Sequence, residues 1–323
     1  MQMRAVIFDG AGGPEVIRIA EVPKPAVAPG QVRVRVHAAA LNRADLVQRR
    51  GHYPAPPGWP NDIPGLEFAG EVEAVRDDVS RWDVGDRVMG LVGGGGQAEY
   101  VVVHEDELIP IPDGVDYAHA AAMPESFRTA YDALSVRAHL RSGERVLIHA
   151  VGSGLGTAAA QIARRIGANV LGTSRNADKL ARATVFGVEQ GIDTSGGSFR
   201  DAVQEPVDVV LDVLGGRAFA DNLAVLAPRG RLILLGVLAG STAHIDLDLM
   251  LRKRLEVIGT VMRTRGLDER TALAREFTDV IVPLFEHGVL RPVVDRVIRM
   301  SEVAAAHAAL ERNETFGKVV AVW

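Results

Sequence analysis

The sequence contains no cysteine, which limits both its chemistry and its stabilisation. Without thiols the chain cannot form disulfides, attack a substrate with a thiolate or hold a metal through sulfur. Its nine histidines show no His-x₃-His spacing, so scattered surface or core histidines are favoured over a metal site. These absences exclude a disulfide scaffold and a cysteine-based zinc centre.

Long apolar runs and an excess of positive charge are also missing. No uninterrupted apolar run approaches a membrane span, and residues 1–10 hold no apolar core of secretory length. We therefore expect a cytoplasmic protein that does not enter a membrane. The formal net charge of −5 argues against a broad nucleic-acid-binding surface, so no nucleic-acid partner is expected.

The length of 323 residues and the 47% hydrophobic content suggest two domains. Residues 1–118 have β character, since apolar and β-branched segments alternate with Gly and Pro breaks. Strands are predicted there at 31–38, 70–75, 86–91 and 99–103. After residue 264 a long helix (267–287), an extended piece (292–298) and a final helix and strand follow. Residues 265–323 are therefore assigned to the same domain as residues 1–118.

The middle of the chain, residues 119–264, alternates strands with helices, which indicates a doubly wound parallel sheet. Strands are predicted at 145–150, 169–173, 188–192, 207–213, 231–236 and 255–261, and helices between them include 178–186 and 217–226. The fold class is thus α/β, with this domain inserted between the two parts of the other.

An apolar strand, a glycine-rich turn and an alanine-rich helix follow one another between Val146 and Ile166. This order favours a dinucleotide phosphate site, because glycines let the backbone approach a pyrophosphate and the helix start at Thr157 offers free N–H groups. The predicted contacts are Gly152, Ser153, Gly154, Leu155 and Gly156. The flanking strand and helix make the signal stronger than the glycine spacing alone.

The residue that selects the dinucleotide is expected about 20 positions after the glycines, where an acid would bind a ribose 2′-hydroxyl. Here the strand runs instead into Ser174 and Arg175, with Lys179 in the next helix. A hydroxyl, a guanidinium and an ammonium favour the 2′-phosphate of NADPH. The alternative is that Arg175 and Lys179 are merely solvated charges at a helix start.

Motifs along the whole chain resemble the zinc-independent quinone oxidoreductases, the zeta-crystallin-like branch of the medium-chain dehydrogenase/reductase superfamily. The motifs are AALNRAD (39–45), GHYP (51–54), PGLE (64–67), GDRV (85–88), MPE (123–125), the glycine turn, KRLE (253–256) and FGK (316–318). The resemblance implies a GroES-like first domain, a Rossmann second domain, an active-site cleft between them, and homodimers that extend the Rossmann sheet. Glu256 to Val261 are then expected to form an edge strand of the parallel sheet.

The resemblance also bears on zinc. Zinc alcohol dehydrogenases of the superfamily carry a histidine ligand in a Gly-His-Glu run, and here that run is Gly65-Leu66-Glu67. Leu66 cannot bind a metal. We therefore expect no catalytic zinc, so that hydrogen bonds would have to polarise a substrate carbonyl.

Asn42 and Asp45 allow two compatible interpretations. As structural residues, Asn42 caps a short helix and Asp45 lies at its third position, where a carboxylate suits the helix dipole. As catalytic residues, which the resemblance implies, both face the nicotinamide and position the substrate.

Tyr53 lies in a proline-rich loop, residues 51–65, together with His52 and Trp59. Such aromatic rings can stack on a flat quinone, and the resemblance implies a tyrosine near the substrate at this place. The alternative is that the rings only cover the β domain.

Further site residues are implied by the resemblance alone. Thr129 is expected near the nicotinamide; the alternative is a plain position on a helix surface. A loop with Gly236, Val237 and Leu238 is expected over the nicotinamide ribose, and Phe316, Gly317 and Lys318 are expected at the nicotinamide pocket. The glycine run Gly93–Gly96 precedes a strand rather than a helix, so we expect flexibility at the cleft edge rather than phosphate binding.

The expected function is hydride transfer from NADPH to a quinone or similar conjugated carbonyl. Two alternatives remain open: an NADPH-dependent enone or enoyl-thioester reductase, and a non-catalytic NADPH-binding protein with a structural or RNA-binding role. The acidic charge balance and the intact cleft motifs weigh against the second.

Overall fold

The computed structural model describes all residues, 1–323, and divides them into two compact units. The first unit comprises Met1–Arg128 and Met262–Trp323, and the second comprises Thr129–Val261. The sequence places these boundaries at 118/119 and 264/265. The first boundary falls later in the structure because the helix Tyr117–Ala121 packs against strands of the first unit.

The chain forms fifteen strands and ten α-helices. The strands are β1 (Gln2–Phe8), β2 (Ile17–Pro23), β3 (Gln31–Ala40), β4 (Glu67–Val75), β5 (Arg87–Leu91), β6 (Tyr100–His104), β7 (Leu108–Pro110), β8 (Arg145–Ile148), β9 (Asn169–Ser174), β10 (Gln190–Asp193), β11 (Val207–Asp212), β12 (Leu226–Leu234), β13 (Glu256–Gly259), β14 (Val294–Arg299) and β15 (Lys318–Val322). The helices are α1 (Arg43–Arg49), α2 (Tyr117–Ala121), α3 (Pro124–Tyr131), α4 (Gly154–Ile166), α5 (Ala177–Ala183), α6 (Phe219–Val225), α7 (Leu247–Lys253), α8 (Leu267–Val280), α9 (Val282–Glu286) and α10 (Val303–Glu311).

The first unit is built on a mixed sheet with the strand order β14-β15-β3-β4-β5-β7, and β6 pairs with the first half of β3. Its central strand, β3, alternates in burial: Val32, Val34 and Val36 face the core. Strand β15 pairs antiparallel with the end of β3, from Ala38 to Ala40. Residues far apart in sequence therefore meet at the junction of β3 and α1.

The second unit contains six parallel strands in the order β10-β9-β8-β11-β12-β13. Numbered within the unit, this order is 3-2-1-4-5-6, the doubly wound arrangement of dinucleotide-binding domains. The predicted α/β class is thereby confirmed. The order reverses beside β8, so its carboxyl end lies at the point where such sheets bind ligands.

Three helices differ clearly from the prediction. Helix α5 ends at Ala183 rather than at residue 186, because Thr184–Phe186 form a 3-10 turn. Helix α4 begins at Gly154 rather than Thr157, because the Ser153 hydroxyl accepts the Gly156 N–H at 3.0 Å and caps the helix. The helix predicted over residues 267–287 is interrupted at Ile281, giving α8 and α9. Pro283 accounts for the break, since proline supplies no N–H and obstructs the preceding turn.

None of the helices has the length and apolar character needed to cross a membrane.

Candidate functional site

A buried ammonium group lies among carboxylates in the first unit. Lys318, at the start of β15, contacts Glu67 at the start of β4 and donates to the Asn42 side-chain oxygen at 2.6 Å. Its Nζ lies 3.6 Å from Oε2 of Glu125 on α3. We call these four residues, together with Asp45, the Lys318 cluster. Four separate segments of the chain thus contribute to one group of charges.

Burial and charge pairing act against each other in the Lys318 cluster. Burial raises the pKa of the Glu67 carboxyl to about 7, although the Lys318 ammonium lies against it. Burial likewise raises the pKa of Asp45 to about 6. For Lys318, burial opposes the charge, but Glu67 and Glu125 outweigh it and hold the pKa above its usual value. The ammonium therefore stays charged at neutral pH, while Glu67 and Asp45 bind protons unusually tightly.

Asn42 occupies the N-cap position of α1, as the sequence predicts, and forms a capping box with Asp45. In this box the Asp45 carboxylate accepts the Asn42 backbone N–H at 2.8 Å. The Asn42 amide also donates to Glu67 at 3.1 Å and accepts from Lys318. Since both residues are buried and bonded within the protein, their assignment to substrate positioning stays a prediction.

The Tyr53 loop is held by an arginine that the sequence analysis did not single out. Arg263 donates to the carbonyl oxygens of Gly93 and Tyr53, each at 2.8 Å, and to the Gln48 side chain at 2.7 Å. Its guanidinium lies 4.6 Å from the centre of the Tyr53 ring. Gln48 in turn donates to the carbonyl of Asn61 at 2.9 Å. The half-buried Tyr53 ring therefore lies on a loop fixed at two places.

The glycine run Gly93–Gly96 is buried, so the prediction of a flexible cleft edge is wrong. A Cβ atom on Gly93 would lie 2.5 Å from the Trp59 ring, and one on Gly94 would lie 2.7 Å from the Pro60 carbonyl oxygen. The glycines are needed because the Tyr53 loop packs directly on their backbone. Trp59 accordingly helps to cover the core of the first unit.

In the second unit, the predicted glycine turn connects β8 to α4. A Cβ atom on Gly156 would lie 2.6 Å from the Ala150 carbonyl oxygen, so only glycine lets the helix start this close to the turn. The first N–H groups of α4 face the carboxyl end of the sheet, where an anion would be favoured. Backbone of Gly152, Gly154 and Leu155 contributes to this turn, which fits a dinucleotide pyrophosphate.

The carboxyl end of β9 carries Ser174 and the exposed Arg175. The Ser174 hydroxyl accepts the Asn176 N–H at 3.1 Å, and Asn176 caps α5 by accepting the Lys179 N–H at 3.1 Å. No carboxylate occupies the end of this strand. Arg175 directly precedes the N-cap Asn176, and Lys179 lies in the first turn of α5, so their contact with a 2′-phosphate stays a prediction.

A second loop runs beside this end of the sheet. The backbone N–H of Leu238 donates to the Val213 carbonyl at 3.2 Å, and that of Ala239 donates to Leu214 at 2.7 Å. Val237 and Leu238 are 50% and 53% exposed. Apolar side chains exposed beyond β12 suit a loop that covers a ligand, and the assignment of Gly236–Leu238 to the nicotinamide ribose stays a prediction.

The remaining predicted residues are placed as follows. Thr129 is buried on α3, and its hydroxyl has no hydrogen-bond partner in the structure. Gly317 has a positive φ of 88°, and a side chain there would collide with the Val293 carbonyl. The Phe316 N–H donates to Asp295 at 2.9 Å. This backbone geometry aims Lys318 into its cluster, and a contact of residues 316–318 with the cofactor stays a prediction.

The structure shows no group of three or more histidine, aspartate or glutamate side chains that could hold a metal ion. Leu66, at the position expected for a zinc-binding histidine, is buried. The carboxylate that follows it, Glu67, is committed to Asn42, Lys318 and the Glu125 N–H.

Three residues of this region were not singled out as site residues from the sequence: Glu67, Glu125 and Arg263. Glu67 and Glu125 each end a motif of the family resemblance, PGLE and MPE, and this was the available signal. Arg263 follows the last strand of the second unit and had no local signal, because its bonding partners lie far away in the sequence. Tyr53, for example, lies 210 positions before Arg263.

Comparisons with known proteins cover the whole chain. Residues 28–113 match the alcohol dehydrogenase GroES-like domain family, and residues 154–279 match the zinc-binding dehydrogenase family. A quinone oxidoreductase of Pseudomonas aeruginosa is 33% identical and covers 98% of this chain and 98% of its own. The crystal structure of the human synaptic vesicle membrane protein VAT-1 homolog-like protein has a TM-score of 0.88 at 30% identity, covering 100% of this chain and 98% of that one. CurK enoyl reductase has a TM-score of 0.87 at 25% identity, covering 100% and 99%.

A GroES-like unit, together with a Rossmann sheet and its glycine turn, defines an oxidoreductase that uses a nicotinamide cofactor. The chain belongs to the zeta-crystallin-like quinone oxidoreductases of the medium-chain dehydrogenase/reductase superfamily. The family resemblance inferred from the sequence motifs is thereby confirmed.

The raised pKa of Glu67 predicts how stability depends on pH. A carboxyl that holds its proton more tightly in the folded state stabilises the fold below its ordinary pKa of 4.5, and this contribution is lost as pH rises through about 7. Glu67→Gln resembles the protonated form and cannot ionise. Between pH 5 and pH 8 the free energy of unfolding of wild type, measured in urea, should therefore fall relative to that of the variant.

The matched control is Glu21→Gln, which makes the same change on the exposed face of β2. It should leave the pH dependence as in wild type. If Glu67→Gln instead becomes progressively less stable than wild type as pH rises, the ionised pair with Lys318 is net stabilising and the prediction is wrong.

Proposed function

We propose that this protein is an NADPH-dependent, zinc-independent quinone reductase that transfers a hydride to a quinone or similar conjugated carbonyl. The observation that carries the proposal is the end of β9, where Ser174 and Arg175 stand in place of a ribose-binding acid. The similarity to a quinone oxidoreductase over nearly the entire chain supports the acceptor class.

The charges around Ser174 support a phosphate more than a free ribose. Asp193, the Cα partner of Ser174 on β10, accepts the Ser195 N–H at 2.8 Å, and this bond lowers the pKa of its carboxyl. Asp178 lies one helix position before Lys179 and pairs with Arg182 at 3.9 Å. Both acids thus have partners of their own, and Arg175 offers a guanidinium for the 2′-phosphate.

Bound NADPH supplies the hydride. The protein's task is to hold a flat acceptor at reacting distance and to exclude water, which depends mainly on proximity and orientation. We assign the stacking surface to Tyr53, whose loop Arg263 fixes. Burial raises the pKa of the Tyr53 hydroxyl, although Arg263 opposes this, so the phenol stays protonated at neutral pH.

Asn42 and Asp45 act indirectly in this proposal. Asn42 accepts from Lys318 and one Asp45 oxygen accepts the Asn42 backbone N–H, so we assign both residues to fixing the start of α1, in the same unit as Tyr53. Thr129, with a buried and unpartnered hydroxyl, is the better candidate for a direct contact with the nicotinamide.

The second candidate function is reduction of an enone or enoyl thioester. The structural similarity to CurK enoyl reductase favours it, since that protein shares the fold along the entire chain. A non-catalytic NADPH-binding role is the remaining alternative. The chain is also similar in structure to a VAT-1 homolog-like protein, so we retain this alternative as an outcome of the acceptor screen.

We also propose that the protein works as a homodimer in the cytoplasm, without a nucleic-acid or membrane partner. Strand β13 forms one edge of the parallel sheet. Val257 within it and Val261 just after it are 38% and 43% exposed. An exposed apolar edge of this kind calls for a covering partner, and a second copy supplies an identical edge.

An acceptor screen tests the function directly. With NADPH oxidation followed at 340 nm, quinones should be reduced faster than enones and crotonyl thioesters, and prolonged treatment with a chelator should leave the rate intact. Faster turnover of a thioester favours the second candidate function. Stoichiometric zinc whose removal abolishes activity contradicts the metal-free assignment, and binding of NADPH with no turnover of any acceptor supports the non-catalytic alternative.

Replacing Arg175 by alanine should weaken NADPH binding selectively. The lost hydrogen bond to a charged group is worth about 1.5–3 kcal/mol, equivalent to a roughly 10- to 150-fold rise in the Kd of NADPH, with little change for NADH. Arg165→Ala, which removes an exposed arginine from the last turn of α4, is the control and should change neither Kd. Equal losses for both cofactors in Arg175→Ala would refute the assignment.

Tyr53 variants distinguish stacking from proton donation. Tyr53→Phe keeps the ring and should retain most of kcat/KM for quinone, whereas Tyr53→Ala should lose about tenfold or more, roughly 1.4 kcal/mol of transition-state stabilisation. An equal collapse in both variants would make Tyr53 a proton donor, since general acid catalysis contributes about 10²–10⁴-fold. Equal melting temperatures for the two variants would show that the loop is intact in each.

The dimer has a simple check. Light scattering at micromolar concentration should report twice the chain mass of 34.5 kDa, and a charged substitution, Val257→Lys, should shift the protein toward monomer. A monomer in the wild type would contradict the proposal.

A further inference from the structure

A buried imidazole lies under the cofactor end of the parallel sheet. His149 directly follows β8 and is 2% exposed. Its Nδ1 lies 2.8 Å from the Thr173 hydroxyl on β9, and its Nε2 lies 2.7 Å from the side-chain oxygen of Asn222 on α6. The Phe199 ring packs against the imidazole at 4.7 Å.

The hydrogen-bonding roles in this group follow from one another. Burial lowers the pKa of His149, so the ring is neutral and carries a single N–H. The Asn222 oxygen can only accept, which places the proton on Nε2. Nδ1 must then accept, and the Thr173 hydroxyl donates to it. The result is a directed chain of bonds from β9 through the ring to α6.

The location of this hydrogen-bond chain in the fold matters more than the strength of its bonds. Thr173 immediately precedes Ser174 and Arg175, and its carbonyl oxygen accepts the N–H of Val151 in the glycine turn at 3.0 Å. Backbone and side chain of Thr173 are therefore both tied to the segment that leaves β8. The imidazole fixes where β9 ends relative to the turn that begins α4.

The hydrogen-bond chain through His149 also lowers the stability of the fold, and packing alone does not explain why it is there. The Asn222 side-chain nitrogen is buried without a hydrogen-bond partner, and an unpaired buried group of this kind destabilises the fold. Apolar residues of similar size would fill the space without this cost. A polar chain here is better understood as a device for precise placement.

We propose that His149 is a positioning residue for cofactor selection: through Thr173 it holds Ser174 and Arg175 where they meet the ribose 2′-phosphate. The inference rests on the NADPH preference proposed above. His149 itself touches no part of the phosphate in this assignment. It acts by fixing the strand end from which the phosphate-binding side chains project.

Binding of two small probes tests the inference without turnover. The probes are 2′,5′-ADP, which carries the ribose 2′-phosphate, and 5′-AMP, which lacks it; their Kd values are measured by titration calorimetry. In His149→Phe and in Thr173→Val the preference for 2′,5′-ADP should fall by about tenfold, comparable to loss of one hydrogen bond to a charged group. His149→Asn, whose amide can still accept from Thr173, should recover part of it.

The control for general destabilisation is Val210→Ala, which removes buried apolar volume from β11 without touching the polar chain. It should lower the melting temperature yet leave the ratio of the two Kd values unchanged. A fall in the ratio in this control as large as in His149→Phe would reduce the role of His149 to stability alone and overturn the inference.

The possible failures are distinguishable. If wild type binds both probes equally, the proposed NADPH preference is wrong and the inference falls with it. If wild type prefers 2′,5′-ADP while His149→Phe and Thr173→Val keep the same ratio, only the positioning role is wrong.

Discussion

The ammonium of Lys318 is the group on which the first unit depends. It brings together the end of β3, the start of β4, helix α3 and the start of β15. Removing one partner of a buried ion pair typically costs about 3–5 kcal/mol, because the other charge is left without compensation. The position of α1, and with it the chain leading to Tyr53, follows from where this ammonium lies.

The same cluster explains why two carboxyls bind protons so tightly. Three acids, Asp45, Glu67 and Glu125, surround one lysine, so full ionisation would leave an excess of negative charge in a buried place. Keeping both Glu67 and Asp45 protonated removes that excess. In the second unit the buried polar groups around His149 carry no charge, and directed hydrogen bonds rather than ion pairs join them. Each unit thus fixes its functional segments with buried polar groups of a different kind.

The sequence predicts local features well and long-range ones poorly. The six strands of the second unit and the turn at Gly156 were readable because hydrophobic periodicity and glycine spacing are local signals. Pro283 was a visible signal for the break between α8 and α9. It was missed because the hydrophobic pattern has the helical period on both sides of the proline. The bonds of Arg263 were not readable, since they join residues more than 150 positions apart. The buried state of Gly93–Gly96 likewise depends on a tryptophan supplied by another loop.

The order of residues along the chain has a consequence for biosynthesis. Asn42 and Lys318 are 276 positions apart, and the entire second unit is made between them. Domains generally fold as units while the chain is being made, so the Rossmann unit can be complete before the first unit receives its counter-ion. Until Lys318 emerges, Glu67 and Asp45 must remain hydrated or protonated, and β3 lacks its β15 neighbour. A ribosome stalled before residue 318 would therefore carry a folded nucleotide-binding unit attached to an unfinished β domain.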